Sequence, residues 1–246
     1  MQDIICAICG TNQQILQLYP ANFKISTLSS YTFSARRNPD KIHYRSNRCL
    51  RCGLIFSSPI FSDKKISELY SKSICSYRPQ TKHLSKTYIE LFETNIPFTS
   101  RNISILEIGC GNGFFLNELL KRGYKNLYGI DPSKKMVSET PYIIKKNIKK
   151  SIFKKGLFKA NKFDIICCFH TLDHVLDPNE LIFESSKLLK KNGSVLFIVH
   201  DTDALSAKIF GEKSPIFDIE HIYLFNKKIL SKSLLKTGLK IAVYMI

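Results

Sequence analysis

Four cysteines near the start of the chain form two Cys-x-x-Cys pairs, and each pair is followed by glycine. They are Cys6, Cys9, Cys49 and Cys52. A Cys-x-x-Cys turn points two sulfur atoms to the same side, so two such turns complete a tetrahedral set of four thiolates. A site with no open position is typical of a structural Zn²⁺ rather than a catalytic one. Iron takes the same ligand set and remains the alternative ion.

A second pattern with chemical meaning is the glycine turn within Glu107–Gly113, which follows an apolar segment. Glycines here let a ligand press against the backbone. The spacing is not that of a dinucleotide-binding turn, because its last glycine position is Phe114, and the Gly-Lys-Ser/Thr of a phosphate loop is absent. The next apolar segment ends at Asp131, where an acidic side chain could accept from both ribose hydroxyls. The pattern therefore predicts a nucleoside-containing cofactor without a pyrophosphate.

Several segments taken together resemble the class I S-adenosylmethionine-dependent methyltransferases over roughly residues 101–246. They are Leu106–Gly113, Gly129–Ser133, Phe163–Ile166, Leu172–Pro178 and Leu188–Val199. The resemblance implies S-adenosylmethionine as cofactor, with the methionine part held by Glu107 and the glycines and the ribose held by Asp131. It also implies that His170 lines the site near the sulfonium. The predicted cofactor-binding residues are Glu107, Gly109, Gly111, Gly113, Asp131 and His170.

A cysteine ribbon ahead of this domain is similar to bacterial methyltransferases of sugar and cell-surface polysaccharide pathways, including sugar C-methyltransferases. In those enzymes a Glu-His pair after the fifth strand and a histidine after the fourth supply base chemistry. The matching positions are Glu220, His221 and His174, which the resemblance implies as catalytic residues. His200 and Asp201 face the same predicted cleft and are further candidates. The implied acceptor is a small molecule, a nucleotide-sugar or polysaccharide precursor.

Each of these assignments has an alternative. His174 could be a packing residue at a helix start, and Glu220-His221 a surface loop pair. Two other functions stay open: an RNA or ribosome methyltransferase that uses the basic surface and the ribbon, and a non-catalytic scaffold that retains the cofactor fold. The family's sheet closes with a seventh strand, whereas this sequence stops after the sixth predicted one. We therefore expect a short or atypical carboxyl end.

The composition is that of a basic globular protein, with 246 residues, 44% apolar residues and a formal charge of +17. Zn²⁺ with four thiolates would reduce this charge to about +15. The excess keeps nucleic acid as a second candidate partner, although lysines this dispersed are more often a solvated face. No apolar run could span a membrane and no secretion signal is visible, so we expect a cytoplasmic protein with reduced thiols. The densest lysine cluster is Lys145, Lys146, Lys149, Lys150, Lys154, Lys155, Lys159 and Lys162.

The elements that would position these residues are predicted as an α/β fold, a Rossmann-like, doubly wound, mostly parallel sheet preceded by a small zinc ribbon. We predict three parts: a ribbon over 1–60, a helical linker over 61–100 and the methyltransferase domain over 101–246. Predicted strands are Ile103–Ile108, Leu127–Ile130, Ile143–Ile148, Phe163–Phe169, Ser194–Val199 and Lys240–Ile246. Predicted helices of the large domain are Phe114–Arg122, Asn179–Leu189 and 226–236. The cysteines outside the ribbon, predicted to be structural, are Cys75, Cys110, Cys167 and Cys168.

Overall fold

The computed structural model describes residues 1–28, 31–34, 40–74, 78–96, 100–235 and 240–245. These residues form two sheets and the helices that pack on them. The strands are β1 (Ile15–Tyr19), β2 (Ser46–Cys49), β3 (Ile55–Ser57), β4 (Ser104–Ile108), β5 (Asn126–Asp131), β6 (Ile148–Lys150), β7 (Phe163–Phe169), β8 (Leu189–Val199), β9 (Tyr223–Leu224) and β10 (Lys240–Met245). The α-helices are α1 (Asp63–Ser71), α2 (Arg78–Asn95), α3 (Phe114–Lys121), α4 (Lys134–Ser138), α5 (Tyr142–Lys145), α6 (Pro178–Leu188), α7 (Leu205–Phe210) and α8 (Lys227–Leu235). Among these helices, none has the length and apolar character needed to cross a bilayer.

In the described part of the chain, the larger sheet has six strands in the order β10-β8-β7-β4-β5-β6. All neighbouring pairs are parallel. The sequence explains this arrangement, because β7 and the end of β8 are nearly continuous buried apolar runs, which is the pattern of parallel strands covered on both faces. The strand order reverses direction at β4, as in doubly wound folds. The predicted fold class is confirmed.

The register of the central strands brings their carboxyl ends to one edge of the sheet. Ile108 at the end of β4 pairs with Ile130 of β5 and with Cys168 of β7. Phe169 at the end of β7 pairs in turn with Ile198 of β8. Open α/β sheets bind ligands at this edge, near the point where the strand order reverses. The ends of these strands and the segments that leave them carry the predicted cofactor-binding residues and His174, whereas Glu220 and His221 precede β9.

The third predicted strand, Ile143–Ile148, is wrong in its first half. Residues 142–145 form the short helix α5, and the strand β6 covers only Ile148–Lys150. Pro141 precedes the helix and its carbonyl accepts hydrogen bonds from the first turn. In that turn Ile144 is buried, whereas Tyr142 and Ile143 are exposed. The apolar run therefore follows a helical period, with one buried side chain, rather than the alternation of a strand.

The Asn192-Gly193 pair is predicted from the sequence to stop the helix Asn179–Leu189, and this prediction is wrong. Helix α6 ends at Leu188, and β8 begins at once and continues through the Asn-Gly pair. Its pairing with β7 is irregular at this point, because Leu189 pairs with Phe163 while Ser194 pairs with Ile165. Asn192 has a left-handed φ of +69°. The Asn-Gly pair thus interrupts the regular pairing inside a strand instead of ending a helix.

The smaller sheet joins the amino-terminal cysteine unit to a distant part of the chain. Its order is β1-β2-β3-β9, and all of its pairs are antiparallel. β9 follows β8 in the sequence. Its Leu224 pairs with Ile55 of β3 and its Tyr223 with Phe56. A further backbone hydrogen bond joins the N–H of Ser57 to the carbonyl of Ile222 at 2.8 Å. The cysteine unit is therefore built directly onto the segment that carries Glu220 and His221.

The two helices between the sheets pack on the larger sheet at different places. Helix α2 buries Tyr88 and Phe92, whose rings contact Phe169 and Phe115 with centroid separations of 4.5 and 5.8 Å. Helix α1 carries Tyr70 to the site described below. Cys110, Cys167 and Cys168 are buried, as predicted. Cys75 and Pro39 lie outside the described residues.

Candidate active site and metal centre

The four cysteines of the two pairs come together in the smaller sheet. Their sulfur atoms all lie within 4.8 Å of one another, and those of Cys6 and Cys52 are 3.5 Å apart. Each turn closes through the glycine behind it, whose N–H donates to the first cysteine's carbonyl at 2.8 Å. Four thiolates about 2.3 Å from a Zn²⁺ are separated by about 3.8 Å, so the sulfur atoms are spaced for one tetrahedral ion. Without a cation, burial raises the pKa of Cys6 and of Cys52, which a bound divalent ion would reverse.

The glycine turn joins β4 to α3, and two of its glycines are required by geometry. Gly109 has a φ of +79°, and a Cβ at this position would collide with the side chain of Thr171. Gly113 has a φ of +71°, and a Cβ there would lie 2.9 Å from Cγ2 of Thr140. Left-handed backbone without a side chain is what this crowded turn needs. The turn thereby leaves a short concave backbone at the carboxyl end of β4.

Asp131 lies at the end of β5, directly beside that turn. Its Oδ2 accepts from the N–H of Gly111 at 2.7 Å, and its Oδ1 accepts from the N–H of Ser133 at 2.8 Å. Burial raises the pKa of Asp131 to about 6, although these two hydrogen bonds favour the carboxylate. The side chain therefore ties the glycine turn to β5 and remains able to accept further hydrogen bonds above that pH.

Two side-chain oxygens at the turn are buried without a hydrogen bond from the described residues. Oε2 of Glu107 and Oδ1 of Asn112 are buried and have no hydrogen-bond partner within the described ranges. Burial, and to a smaller extent the charge of Asp131, raises the pKa of Glu107 well above its usual value. Buried polar groups are nearly always satisfied in proteins, so orphaned acceptors at a glycine turn fit a ligand with a donor. Asn112 was not singled out from the sequence, although it lies within the turn motif.

A cluster of imidazoles surrounds Asp173 at the same edge of the sheet, and we call it the Asp173 cluster. Asp173 is 1% exposed and accepts from Nδ1 of His200 at 2.7 Å. Nε2 of His174 lies 3.8 Å from its Oδ1, and Nε2 of His221 lies 3.9 Å from its Oδ2. The ring of His170 is 4.7 Å from that of His200. The cluster consists of Asp173, His170, His174, His200 and His221.

Three separate segments position these side chains. His170, Asp173 and His174 lie in the loop after β7, His200 follows β8, and His221 precedes β9. His170 has a left-handed φ of +44°, a conformation that costs a non-glycine residue free energy and is concentrated at functional sites. Its Nδ1 is buried and has no hydrogen-bond partner in the described part of the protein.

Hydrogen bonds fix the second nitrogen of two of the imidazoles. Nδ1 of His221 bonds to the carbonyl of Ile216 at 2.7 Å. Nδ1 of His174 bonds to the phenol of Tyr70 at 2.9 Å, and this phenol donates to the carbonyl of Glu220 at 3.4 Å. Burial, followed by the nearby acidic charges, raises the pKa of Tyr70, so the phenol keeps its proton. Tyr70 was not predicted from the sequence, where it looked like an apolar position of a linking helix.

Burial also governs the charges within the cluster. It lowers the pKa of His170 to about 4, that of His174 to about 3 and that of His221 below its usual value. For Asp173, burial alone would raise the pKa, but the surrounding imidazoles hold it well below its usual range. The cluster is therefore one buried carboxylate among imidazoles of which at least these three are neutral near pH 7.

The predicted pairing of Glu220 with His221 takes a different form in the structure. The two ring nitrogens of His221 face the carbonyl of Ile216 and the carboxylate of Asp173. Glu220 is 9% exposed, and its N–H donates to Asp218. The carboxylate 3.9 Å from Nε2 of His221 is that of Asp173, which was not singled out from the sequence. Asp201, the other candidate, forms a bridge with Phe225 and its carboxylate accepts from the N–H of Asp203.

A doubly wound parallel sheet, a glycine turn after its central strand and an acidic residue after the next strand define the class of S-adenosylmethionine-dependent methyltransferases. Residues 80–243 match the model of a family described as "Methyltransferase domain". The chain belongs to this family.

The relatives with assigned names differ from one another in substrate. The chain is 38% identical over 114 residues to the ubiquinone biosynthesis O-methyltransferase of Pelagibacter ubique, a match covering 45% of this chain and 47% of that protein. It is 30% identical over 128 residues to the tRNA U34 carboxymethyltransferase of Campylobacter fetus, covering 48% and 44%. The chain thus spans less than half the length of both. A solved S-adenosylmethionine-dependent methyltransferase from Thermotoga maritima has the same fold, with a TM-score of 0.53, 19% identity and coverage of 66% of this chain and 75% of that one.

Proposed function

We propose that this protein transfers a methyl group from S-adenosylmethionine to a small acceptor that an imidazole of the Asp173 cluster deprotonates. The observation that carries the proposal is the meeting of two sets of groups at one sheet edge. One set is the glycine turn with the orphaned oxygen of Glu107, and the other is the cluster itself. The cofactor supplies the activated methyl group at its sulfonium. The residues of this chain supply alignment and a proton acceptor.

The cofactor roles follow from the donors and acceptors available. Glu107 offers a buried carboxylate oxygen without a partner, suited to an α-ammonium group. Asp131 has lone pairs left after its two backbone hydrogen bonds, suited to ribose hydroxyls. Gly109, Gly111 and Gly113 form the tight turn beside which the methionine part would lie, and His170 would lie near the sulfonium.

The base we propose is His221, with His174 as the second candidate. With Nδ1 held by the Ile216 carbonyl, Nε2 of His221 carries the lone pair. A neutral imidazole can take a proton from the acceptor, and the carboxylate of Asp173, 3.9 Å away, stabilises the imidazolium that forms. Glu220 acts through the backbone in this proposal, because its carbonyl accepts from the Tyr70 phenol that holds His174.

We propose a nucleotide-sugar as the acceptor. The imidazoles are recessed, with 10, 20 and 25% of the side chains of His221, His174 and His200 exposed. Such a recess suits a single small group better than a polymer surface. We propose that the cysteine unit holds a structural Zn²⁺. It also supports the proposed nucleotide-sugar acceptor, because it is joined through β9 to the segment that carries His221.

The test is incubation of the purified chain with S-adenosylmethionine and a panel of nucleotide-sugars, with mass spectrometry of the products. The expected product has gained one CH₂. A panel without methylated product, from protein that binds the cofactor, would reject the nucleotide-sugar as acceptor. Absence of cofactor binding by calorimetry would reject the enzyme and favour the scaffold.

RNA is the second candidate acceptor, and one observation favours it. Lys145, Lys146, Lys149, Lys150, Lys154, Lys155 and Lys159 are all exposed along one region of the chain. The curated relative named as a tRNA carboxymethyltransferase points the same way. Transfer RNA binding with a steep dependence on salt, weakened by lysine-to-glutamine changes in this cluster, would support it. Transfer RNA binding that is undetectable or independent of salt would reject RNA as the acceptor.

A further inference from the structure

In the Asp173 cluster, several lone pairs of the imidazoles and of the carboxylate are not used by hydrogen bonds between the described residues. Nδ1 of His221 is a donor, because the carbonyl of Ile216 can only accept. The Tyr70 phenol contacts Nδ1 of His174 at 2.9 Å and the carbonyl of Glu220 at 3.4 Å. Where its single proton goes to the carbonyl, its oxygen accepts from Nδ1–H of His174, and Nε2 of both neutral rings then carries a lone pair.

These two acceptors both face a carboxylate. Nε2 of His174 is 3.8 Å from Oδ1 of Asp173, and Nε2 of His221 is 3.9 Å from Oδ2. Oδ1 of Asp173 is buried and accepts no hydrogen bond from the described residues. Two imidazole lone pairs this close to a carboxylate repel it when no proton lies between them. A buried carboxylate is also costly when its charge is not compensated.

A cation would resolve this arrangement, and the spacing suits one. One ligand atom from each of Asp173, His174 and His221 can be chosen so that all three lie within 4.8 Å of one another. Around a transition-metal ion with bonds of about 2.0–2.2 Å, neighbouring ligand atoms are separated by about 3–3.5 Å. Small side-chain rotations would therefore bring all three into contact with one ion.

The hydrogen bonds behind the rings are those of metal-binding histidines. Such a histidine almost always donates its other N–H to a carbonyl, carboxylate or similar acceptor, which fixes the tautomer and the ring orientation. His221 does so to the carbonyl of Ile216 and His174 to the phenol of Tyr70.

We propose that Asp173, His174 and His221 bind one divalent transition-metal ion, distinct from the ion of the four cysteines. Two imidazoles and one carboxylate leave open positions and favour Zn²⁺, Fe²⁺ or Mn²⁺ over Mg²⁺ or Ca²⁺. His200, hydrogen-bonded to Asp173, would orient the carboxylate. The consequence for catalysis rests on the proposed function: an ion held here would lower the pKa of an acceptor hydroxyl, whose proton would pass to solvent, and His221 would then serve as a ligand instead of as the base.

The experiment counts metal ions in the full chain. Protein whose cysteine site is filled with Zn²⁺ is treated with a mild chelator, dialysed against Co²⁺ and analysed for both metals, with absorption spectra. Wild type is expected to hold one Zn²⁺ and one Co²⁺, the latter without thiolate charge-transfer bands. Asp173→Asn and His221→Gln are expected to lose the Co²⁺ and keep the Zn²⁺, whereas His83→Asn, a control at an exposed position of α2, retains both.

Wild type without the second ion would overturn the proposal, as would Co²⁺ retained in both ligand variants. Circular dichroism of each variant shows whether it is folded, and the wild-type count decides the question even if one is not. Failure of the proposed function is separable, because cofactor binding and methyl transfer are measured on the same samples. A second ion in protein that methylates nothing leaves the site standing, and full turnover after its removal rejects its catalytic role.

Discussion

The N–H of Gly111 donates a 2.7 Å hydrogen bond to Oδ2 of Asp131, which joins the glycine turn to the end of the neighbouring strand. The bond makes Asp131 both a structural clamp and a candidate ribose acceptor. Burial raises the pKa of the same carboxyl to about 6. The position of one proton therefore links the shape of the turn to cofactor affinity.

Cofactor affinity is expected to fall as the pH drops through about 6. Ribose hydroxyls need the carboxylate form of Asp131, and protonation with a pKa of about 6 removes it. Below that pH, the dissociation constant should rise by up to about tenfold per pH unit. Isothermal titration calorimetry between pH 5 and 8 measures this, with Asp131→Ala as the control that loses both the affinity and its pH dependence. A flat profile in wild type would contradict the assignment.

In the free protein the same group should affect stability with the opposite sign. The folded-state pKa of about 6 exceeds the usual value of 3.8, so the folded state binds the extra proton in between. The contribution of Asp131 to the free energy of unfolding is full below about pH 4 and is lost by about pH 6, about 3 kcal/mol in all. Urea titrations of wild type and Asp131→Ala at both pH values isolate this contribution. A difference between the two proteins that does not change with pH would contradict it.

Glu107 is expected to release a proton when the cofactor binds. Burial raises its pKa well above the usual value in the free protein, so it holds a proton to higher pH. An α-ammonium group beside its unpartnered oxygen would favour the carboxylate. The binding enthalpy should then depend on the ionisation enthalpy of the buffer. Glu107→Gln should abolish that dependence and weaken binding about 10- to 100-fold, the value of a charge-assisted hydrogen bond.

How much of this site is readable from sequence depends on how local its parts are. The glycine turn and Asp131 were predicted because a strand, a turn and a helix are consecutive in the chain. The resemblance assigned His174, His200 and His221 to one cleft, but Asp173 between them was not singled out, because these residues come from three segments that meet only through the register of β7 and β8 and the position of β9. Tyr70 lay only within the predicted helical linker. Their roles are set by partners distant in sequence.

The fold shows the same division. Long buried apolar runs such as β7 can be predicted as strands from the sequence. By contrast, β9 has two residues, and it is a strand because it pairs with the edge strand β3. No local sequence pattern predicts that pairing. The error at residues 143–148 has a related cause: three consecutive apolar residues are compatible with a strand or a helical turn, and the burial of Ile144 alone selects the helix.

Gly109→Ala is expected to destabilise the protein more than Gly156→Ala. Both glycines have left-handed φ values, +79° and +84°, so each substitution carries a backbone cost of about 1–2 kcal/mol. Only at Gly109 would the new Cβ also meet a side chain, that of Thr171, whereas Gly156 has open space around it. The difference between the two free energies of unfolding in urea gives the cost of the crowding. Equal losses would show that Thr171 moves aside freely.

His221→Asn is expected to lower turnover by about 100- to 10,000-fold, the range for loss of a general base, with cofactor affinity unchanged. His83→Asn, at an exposed position of α2, should leave both unchanged. Single-turnover rates with an acceptor that the wild type methylates, combined with calorimetry, separate the two quantities. Near-normal rates in His221→Asn would reject its role in catalysis, and a loss of cofactor binding would assign it to the cofactor site instead.

Loss of the metal that we propose at the four cysteines is expected to reduce turnover while leaving cofactor affinity intact. The cysteine unit reaches the acceptor side through β3–β9 pairing and through the bond from the N–H of Ser57 to the carbonyl of Ile222, next to His221. The glycine turn and Asp131 belong to the other sheet, and no strand pairing among the described residues joins them to the smaller one. Cys49→Ser should therefore lower the melting temperature and the turnover together, with an unchanged dissociation constant for S-adenosylmethionine. A parallel loss of cofactor binding would show that the smaller sheet supports the whole domain rather than the acceptor cleft.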